Sequence, residues 1–472
     1  MRDRLKDIAG RAKEIPTRLK GTPGRLKGTP GRLKGTPGRL KGTPGRLKGT
    51  PGRLRKLPKR IDEIPSSPRL VAIVAVILVA GATAIGVLTG GGGGDDGPVP
   101  EAGRQSNEER RTSFLARIIP PGKESADPSP ETDVPRSVAE LAKRLPADRK
   151  VAQLFLVGFT GRDLNAPIYR QLQRLDLGGV MIGSENYTDP QQLASLAQEA
   201  GVIARNEKHV PPWVMATQEG GEFNDFPDLP PATAASGLKT VDQAVAQARD
   251  TGRTLRPLGI NGVLGPVVDV GREQDLAIGP RAFSDDPELV ASYASALVAA
   301  YRDERVFAAV KHFPGLGSAS QSTEEGPANV GLSLQELADR DLVPFRASFK
   351  AGTPAVVVSN GLYAPDDFVT PGSLSRSVST SLLRDDLKFE GIAITDDLAD
   401  PAVTALGTVP DAAVRAVKAG ADMVQISGSP GDQQAAYVAV LRAVRDGEIS
   451  RKRLDEAVLR VLNGKRDYGL IR

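Results

Sequence analysis

The 472-residue chain contains no cysteine and only two histidines, His209 and His312. Without cysteine no disulfide can form, so stability must come from an apolar core whatever the compartment. No G-x-G-x-x-G follows a strand-like run, which leaves a dinucleotide site without support. The polar residues expected at strand ends include no His/Asp cluster with metal-ligand spacing, so neither a metal nor an organic cofactor is expected. Aromatic residues are missing from the first 69 positions, and nothing there can stack on bases.

Charge is divided unevenly. Residues 1–69 hold 21 Lys/Arg against 5 Asp/Glu, a net of +16, and the remainder carries −11. Five copies of Arg-Leu-Lys-Gly-Thr-Pro-Gly run from Arg18 to Gly52. A coiled coil is excluded, because every copy has two glycines and a proline to break a helix. Such a segment buries too little apolar surface to fold alone. Next come nineteen uncharged residues, Leu70 to Leu88. As a helix at about 1.5 Å per residue they reach roughly 28 Å, enough for a bilayer core. The 69 residues that precede the apolar run argue against a signal peptide.

The expected organisation is therefore a basic cytoplasmic tail (1–69), a transmembrane helix (70–89), a flexible linker (90–136) and a globular part (137–472). The positive-inside bias puts the globular part outside the membrane. The tail is expected to lie on anionic lipid, where each basic residue near the surface contributes on the order of 1 kcal/mol. No nucleic-acid partner is expected of the acidic globular part.

From about Ser137, short apolar runs alternate with amphipathic stretches. Eight runs read as buried parallel strands: 153–158, 179–183, 212–216, 263–268, 306–310, 355–359, 391–395 and 422–427. Helical segments fall between most of them, for example 190–204, 241–258, 287–302, 411–419 and 435–446. Eight β-α units predict an α/β fold, a TIM-like (β/α)8 barrel, whose active site lies at the C-terminal ends of the strands. Those ends are polar at five of eight strands: Thr217-Gln218-Glu219, Asp269, Lys311-His312, Asn360 and Asp396-Asp397.

Several segments in order resemble glycoside hydrolase family 3, specifically its single-barrel β-N-acetylglucosaminidases. They include Gln218-Glu219-Gly220-Gly221, Gly265 through Val270, Arg281-Ala282-Phe283, Lys311 through Gly317 and Gly391 through Leu398. The resemblance implies hydrolysis of a β-linked N-acetylglucosamine-type sugar, in peptidoglycan or a related cell-wall glycan, by a retaining mechanism. It implies Asp396 as nucleophile, with Lys311 and His312 donating to sugar hydroxyls and Arg281 and Asp269 helping to hold the ring. Each also has an ordinary structural reading: Asp269 and Asp397 as helix caps, His312 as a satisfied core residue, Lys311 as a carboxylate partner.

The chain departs from that family where the proton donor belongs. The Asp-Ser-His triplet of such enzymes corresponds to Ser322-Thr323-Glu324, and neither histidine remains for the role. The usual His after Pro-Gly is Leu316, the sugar-binding Asp before Gln-Glu-Gly-Gly is Thr217, and the Arg after that motif is Glu222. Three explanations stand: Glu324 or Glu325 supplies the acid; the leaving group needs little protonation or the substrate's own group assists; or the barrel is an inactive, membrane-tethered glycan-binding or scaffold protein.

Overall fold

The computed structural model describes residues 135–472. The basic repeats, the expected span and nearly all of the expected linker lie outside the described residues. Among the described residues no helix is long and apolar enough to cross a membrane.

Eight parallel strands form one sheet in the order β7-β6-β5-β4-β3-β2-β1-β8. They are β1 (Phe155–Val157), β2 (Gly179–Met181), β3 (Trp213–Ala216), β4 (Gly262–Val263), β5 (Phe307–Phe313), β6 (Ala355–Val358), β7 (Ile392–Thr395) and β8 (Val424–Ile426). The ring is joined most lightly between β7 and β8. There Ile394 bridges Met423, and the Thr395 N–H donates to the Met423 carbonyl at 3.0 Å. All eight expected strands are present, and the TIM-like reading holds.

The start signals of the helices are local. Asp189, Thr240, Asp286, Thr408, Ser429 and Ser450 each accept a backbone N–H of the first turn through the side chain. Each satisfies a donor that the helix itself leaves orphaned. Proline follows directly at 190, 287 and 430, where its missing N–H costs nothing. The helix expected at 435–446 begins five residues earlier, at Pro430, because Ser429 caps it.

Two strands differ from expectation, and both differences bear on the site. β4 is only two residues long, because Pro266 has no N–H to give the ladder. Beyond it the segment pairs with β5 alone, Val268 N–H donating to the Lys311 carbonyl at 2.8 Å. β5 runs three residues further than expected, so Lys311 and His312 lie within the strand.

Apolar side chains fill the barrel interior, among them Leu156, Met215, Phe307, Val357 and Ile394. The Trp213 and Phe307 rings sit 4.3 Å apart there. The helix Arg451–Asp467, absent from the expected set, contributes Val461 to this cluster, and Tyr468 just beyond it packs against the cluster. The interior is thus a packed core, and the open space lies at the C-terminal ends of the strands.

Candidate active site

β5 carries the decisive irregularity. Its register against β6 shifts between Val310 and Phe313, and such bulges re-aim side chains. The Lys311–His312 peptide is cis. The turn that follows depends on glycine at two positions. Gly315 has φ +130°, and a Cβ there would stand 2.5 Å from the Asp341 Cβ; at Gly317 a Cβ would stand 2.0 Å from the Val270 carbonyl oxygen. Only glycine lets the chain fold so tightly against its neighbours.

Asp269, buried after β4, organises this turn. It accepts the Leu316 N–H at 2.7 Å, the His312 N–H at 3.1 Å, and the His312 Nδ1–H at 2.7 Å. On the other side of the ring, the Arg281 Nη2 lies 3.4 Å from His312 Nε2. A carboxylate on one side and a guanidinium on the other select the tautomer with hydrogen on Nδ1, leaving Nε2 as acceptor. His312 is therefore committed at both nitrogens.

Glu219, beyond β3, joins the two cations. Its carboxylate takes Arg281 Nε at 2.5 Å and Nη2 at 3.0 Å, and Lys311 Nζ at 2.5 Å. Burial favours the neutral acid, but Arg281 and Lys311 more than offset it and hold the Glu219 carboxyl down at about 2. The Arg281 guanidinium moves above its usual range: burial opposes its charge, but Glu219, Asp269 and Asp396 outweigh it. The two cations are thus fixed in place at the cavity wall.

Asp396 follows β7, its N–H donating to the Val358 carbonyl at 2.8 Å. Its half-buried carboxylate accepts one hydrogen bond among the described residues, from the Asp397 N–H at 3.1 Å. Asp397 has a different task. Its carboxylate accepts the N–H groups of Ala399 at 2.9 Å and Ser427 at 3.1 Å, fastening the loop after β7 to the one after β8. Burial raises its pKa, partly countered by the donors from Ser427 and Ala399.

These groups surround a cavity of about 150 Å³ that opens to solvent. Thr217, Arg281, Lys311, His312, Glu324 and Asp396 line it together. Asp269 supports His312 from behind. Glu325 is exposed on the same loop as Glu324 and does not line the cavity.

Three further contributors were not singled out from sequence as site residues. Glu219 stands among the polar strand ends and inside a motif of the family resemblance, which assigns it no role of its own. Gln425 on β8 also lines the cavity, and its Oε1 is buried with no hydrogen-bond partner among the described residues. Asp400 lines it too, yet in the sequence it precedes Pro401 and looks like a helix cap. Behind Thr217 lies another carboxyl, Asp225, which accepts the Thr217 N–H at 2.6 Å. Burial pushes Asp225 up to about 7 against that hydrogen bond.

Residues 147–463 match the model of the glycosyl hydrolase family 3 N-terminal domain. The chain belongs to glycosyl hydrolase family 3. It is a glycoside hydrolase with β-hexosaminidases among its relatives. A β-hexosaminidase of Stenotrophomonas maltophilia is 32% identical over 283 residues, which cover 58% of this chain and 83% of that protein. Among solved structures, a family 3 β-N-acetylglucosaminidase from Paenibacillus sp. str. FPU-7 superposes with a TM-score of 0.67 at 31% identity. That match covers 69% of this chain and 63% of the Paenibacillus chain. A β-N-acetylhexosaminidase from Beutenbergia cavernae matches with a TM-score of 0.62 at 29% identity, over 68% of this chain and 99% of its own.

Proposed function

We propose that this family 3 barrel hydrolyses β-linked N-acetylglucosamine-type sugars, in peptidoglycan or a related cell-wall glycan, with retention of configuration. Asp396 is the nucleophile in this reading. The observation that carries it is the contrast between neighbouring carboxylates at one cavity. Asp397 and Glu219 are spent on backbone N–H groups and on cations, whereas Asp396 keeps most of its acceptor capacity. A carboxylate free to attack an anomeric carbon must be so placed. Lys311 and Arg281 supply a cationic wall for sugar hydroxyls, His312 between Asp269 and Arg281 shapes it, and the unpaired Gln425 Oε1 suits a hydroxyl donor.

The setting belongs to the same proposal and rests on sequence: a barrel held outside the membrane by the Leu70–Leu88 span, its basic tail against anionic lipid. One observation favours a second reading, a glycan-binding barrel without turnover. Both imidazoles are committed, His312 as above and His209 through Nδ1 to the Leu172 carbonyl at 3.1 Å, so neither serves as proton donor.

The two readings separate on the full-length protein with an aryl β-N-acetylglucosaminide. Hydrolysis lost in Asp396→Asn, with sugar binding retained, is the expected result. Absence of turnover in the parent across a panel of β-glycosides refutes the hydrolytic proposal and leaves the binding one.

A further inference from the structure

We infer that Asp400 is the proton donor and acceptor of this site, a role that the Asp396 nucleophile reading leaves unfilled and on which this assignment rests. Retaining hydrolysis needs a second group that gives a proton to the leaving oxygen and later takes one from water. Four carboxyls line the cavity: Glu324, Asp396, Asp397 and Asp400. Asp396 is the nucleophile. Asp397 has both oxygens engaged by the Ser427 and Ala399 N–H groups. Glu324 is exposed.

Asp400 stands out by what it does not do. It occupies the N-cap position of the short helix Pro401–Thr404, where an Asp side chain ordinarily accepts a first-turn N–H. Here it accepts none. Its one hydrogen bond among the described residues comes from Asn360 Nδ2, at 3.2 Å to Oδ2, which leaves Oδ1 without one. Asn360 is itself fixed, accepting from Ser373 Oγ at 2.6 Å and donating to the Asp397 carbonyl at 2.7 Å. The loop bearing Glu324 docks on the same helix, Ala402 N–H donating to the Thr323 carbonyl at 3.1 Å. Asp400 is thus a half-buried carboxyl held at one oxygen by a positioned amide, on the wall that Asp396 shares.

Its surroundings favour the protonated form. Burial acts first, then the negative charges of Asp396 and Asp397; the Asn360 hydrogen bond opposes them and Glu324 adds to them. Together they push Asp400 up to about 8. A carboxylic acid that keeps its proton at neutral pH is what general-acid catalysis by a carboxyl requires. As the bond between C1 and the leaving oxygen breaks, that oxygen takes the Asp400 proton and an Asp396 oxygen bonds to C1. In the second step a water oxygen bonds to C1 and the Asp396–C1 bond breaks. The water proton returns to Asp400.

The test uses the full-length protein and aryl β-N-acetylglucosaminides graded in leaving-group acidity, with Asp400→Asn, Asp396→Asn and Glu324→Gln beside the parent. For Asp400→Asn, kcat/KM on poor leaving groups should fall by about 10² to 10⁴, with much less loss on activated ones. Azide should restore its turnover with a β-glycosyl azide as product, and the basic limb of its pH profile should disappear. A merely structural role predicts equal loss for all leaving groups and no azide product, and either result overturns the assignment. A leaving-group-dependent loss in Glu324→Gln instead transfers the role to Glu324. An active parent, silenced by Asp396→Asn but unaffected by Asp400→Asn, overturns this assignment alone. A parent without turnover on any substrate overturns the hydrolytic reading with it.

Discussion

Replacing Glu219 with Gln should measure how strongly the site is tied together. The carboxylate is almost wholly buried, its side chain 5% exposed, and it holds Arg281 and Lys311 at 2.5 Å each. Removing one partner of a buried ion pair typically costs about 3–5 kcal/mol, because the remaining charge stays desolvated. An independent figure comes from proton linkage. Glu219 drops from an ordinary 4.5 to about 2 in the folded protein, which corresponds to roughly 3 kcal/mol at about 1.4 kcal/mol per unit.

The sign follows from the direction of the shift. A lowered folded-state value gives stability that is fully present above pH 4.5 and lost as pH falls through about 2. Urea unfolding of parent and Glu219→Gln should therefore differ by about 3 kcal/mol at pH 7, and the gap should shrink on acidification below 4.5. A gap under about 1 kcal/mol at pH 7, or one that does not narrow with acid, refutes the argument that this carboxylate clamps the two cations.

At the other end of the barrel, Asp422 gathers Arg384, Arg453 and Arg460 at 2.6, 2.5 and 3.2 Å. Asp422→Asn should cost about 3–5 kcal/mol in unfolding experiments while KM for a small aryl substrate stays unchanged. Gly317→Ala forces a methyl onto the Val270 carbonyl and should destabilise by about 1–3 kcal/mol in thermal unfolding; parent-like stability refutes the steric reading. Burial raises Asp341 to about 7 despite Arg340 beside it. Its contribution is present below pH 3.8 and lost as pH rises through about 7, so Asp341→Asn should gain on the parent between pH 5 and pH 8. A stability difference independent of pH contradicts that.

Much of the barrel was legible because its signals are local. Val, Ile and Ala runs mark strands buried on both faces, and capping residues followed by proline mark helix starts. The Lys311–Gly317 and Thr395–Asp397 motifs stand at the strand ends where a barrel gathers its chemistry, so Lys311, His312 and Asp396 were candidates from sequence, and Arg281 was one through the family resemblance. The helix Arg451–Asp467 was not among the expected segments, although Ser450 caps it and Leu454, Ala457, Val458, Val461 and Leu462 recur at helical spacing along its buried side.

What the linear sequence determined is the set of elements, their order and the residue types able to handle a sugar. What only the tertiary structure decided is how those residues are spent. Asp269, Asp397 and Glu219 are consumed by partners 30 to 92 positions away. Asp400, whose local pattern reads as a cap, accepts no helix N–H and instead lines the cavity beside Asp396. Local sequence sets backbone preference, but the protonation and availability of a carboxyl depend on burial and on charges brought together from distant strands. Those are fixed only when the barrel closes.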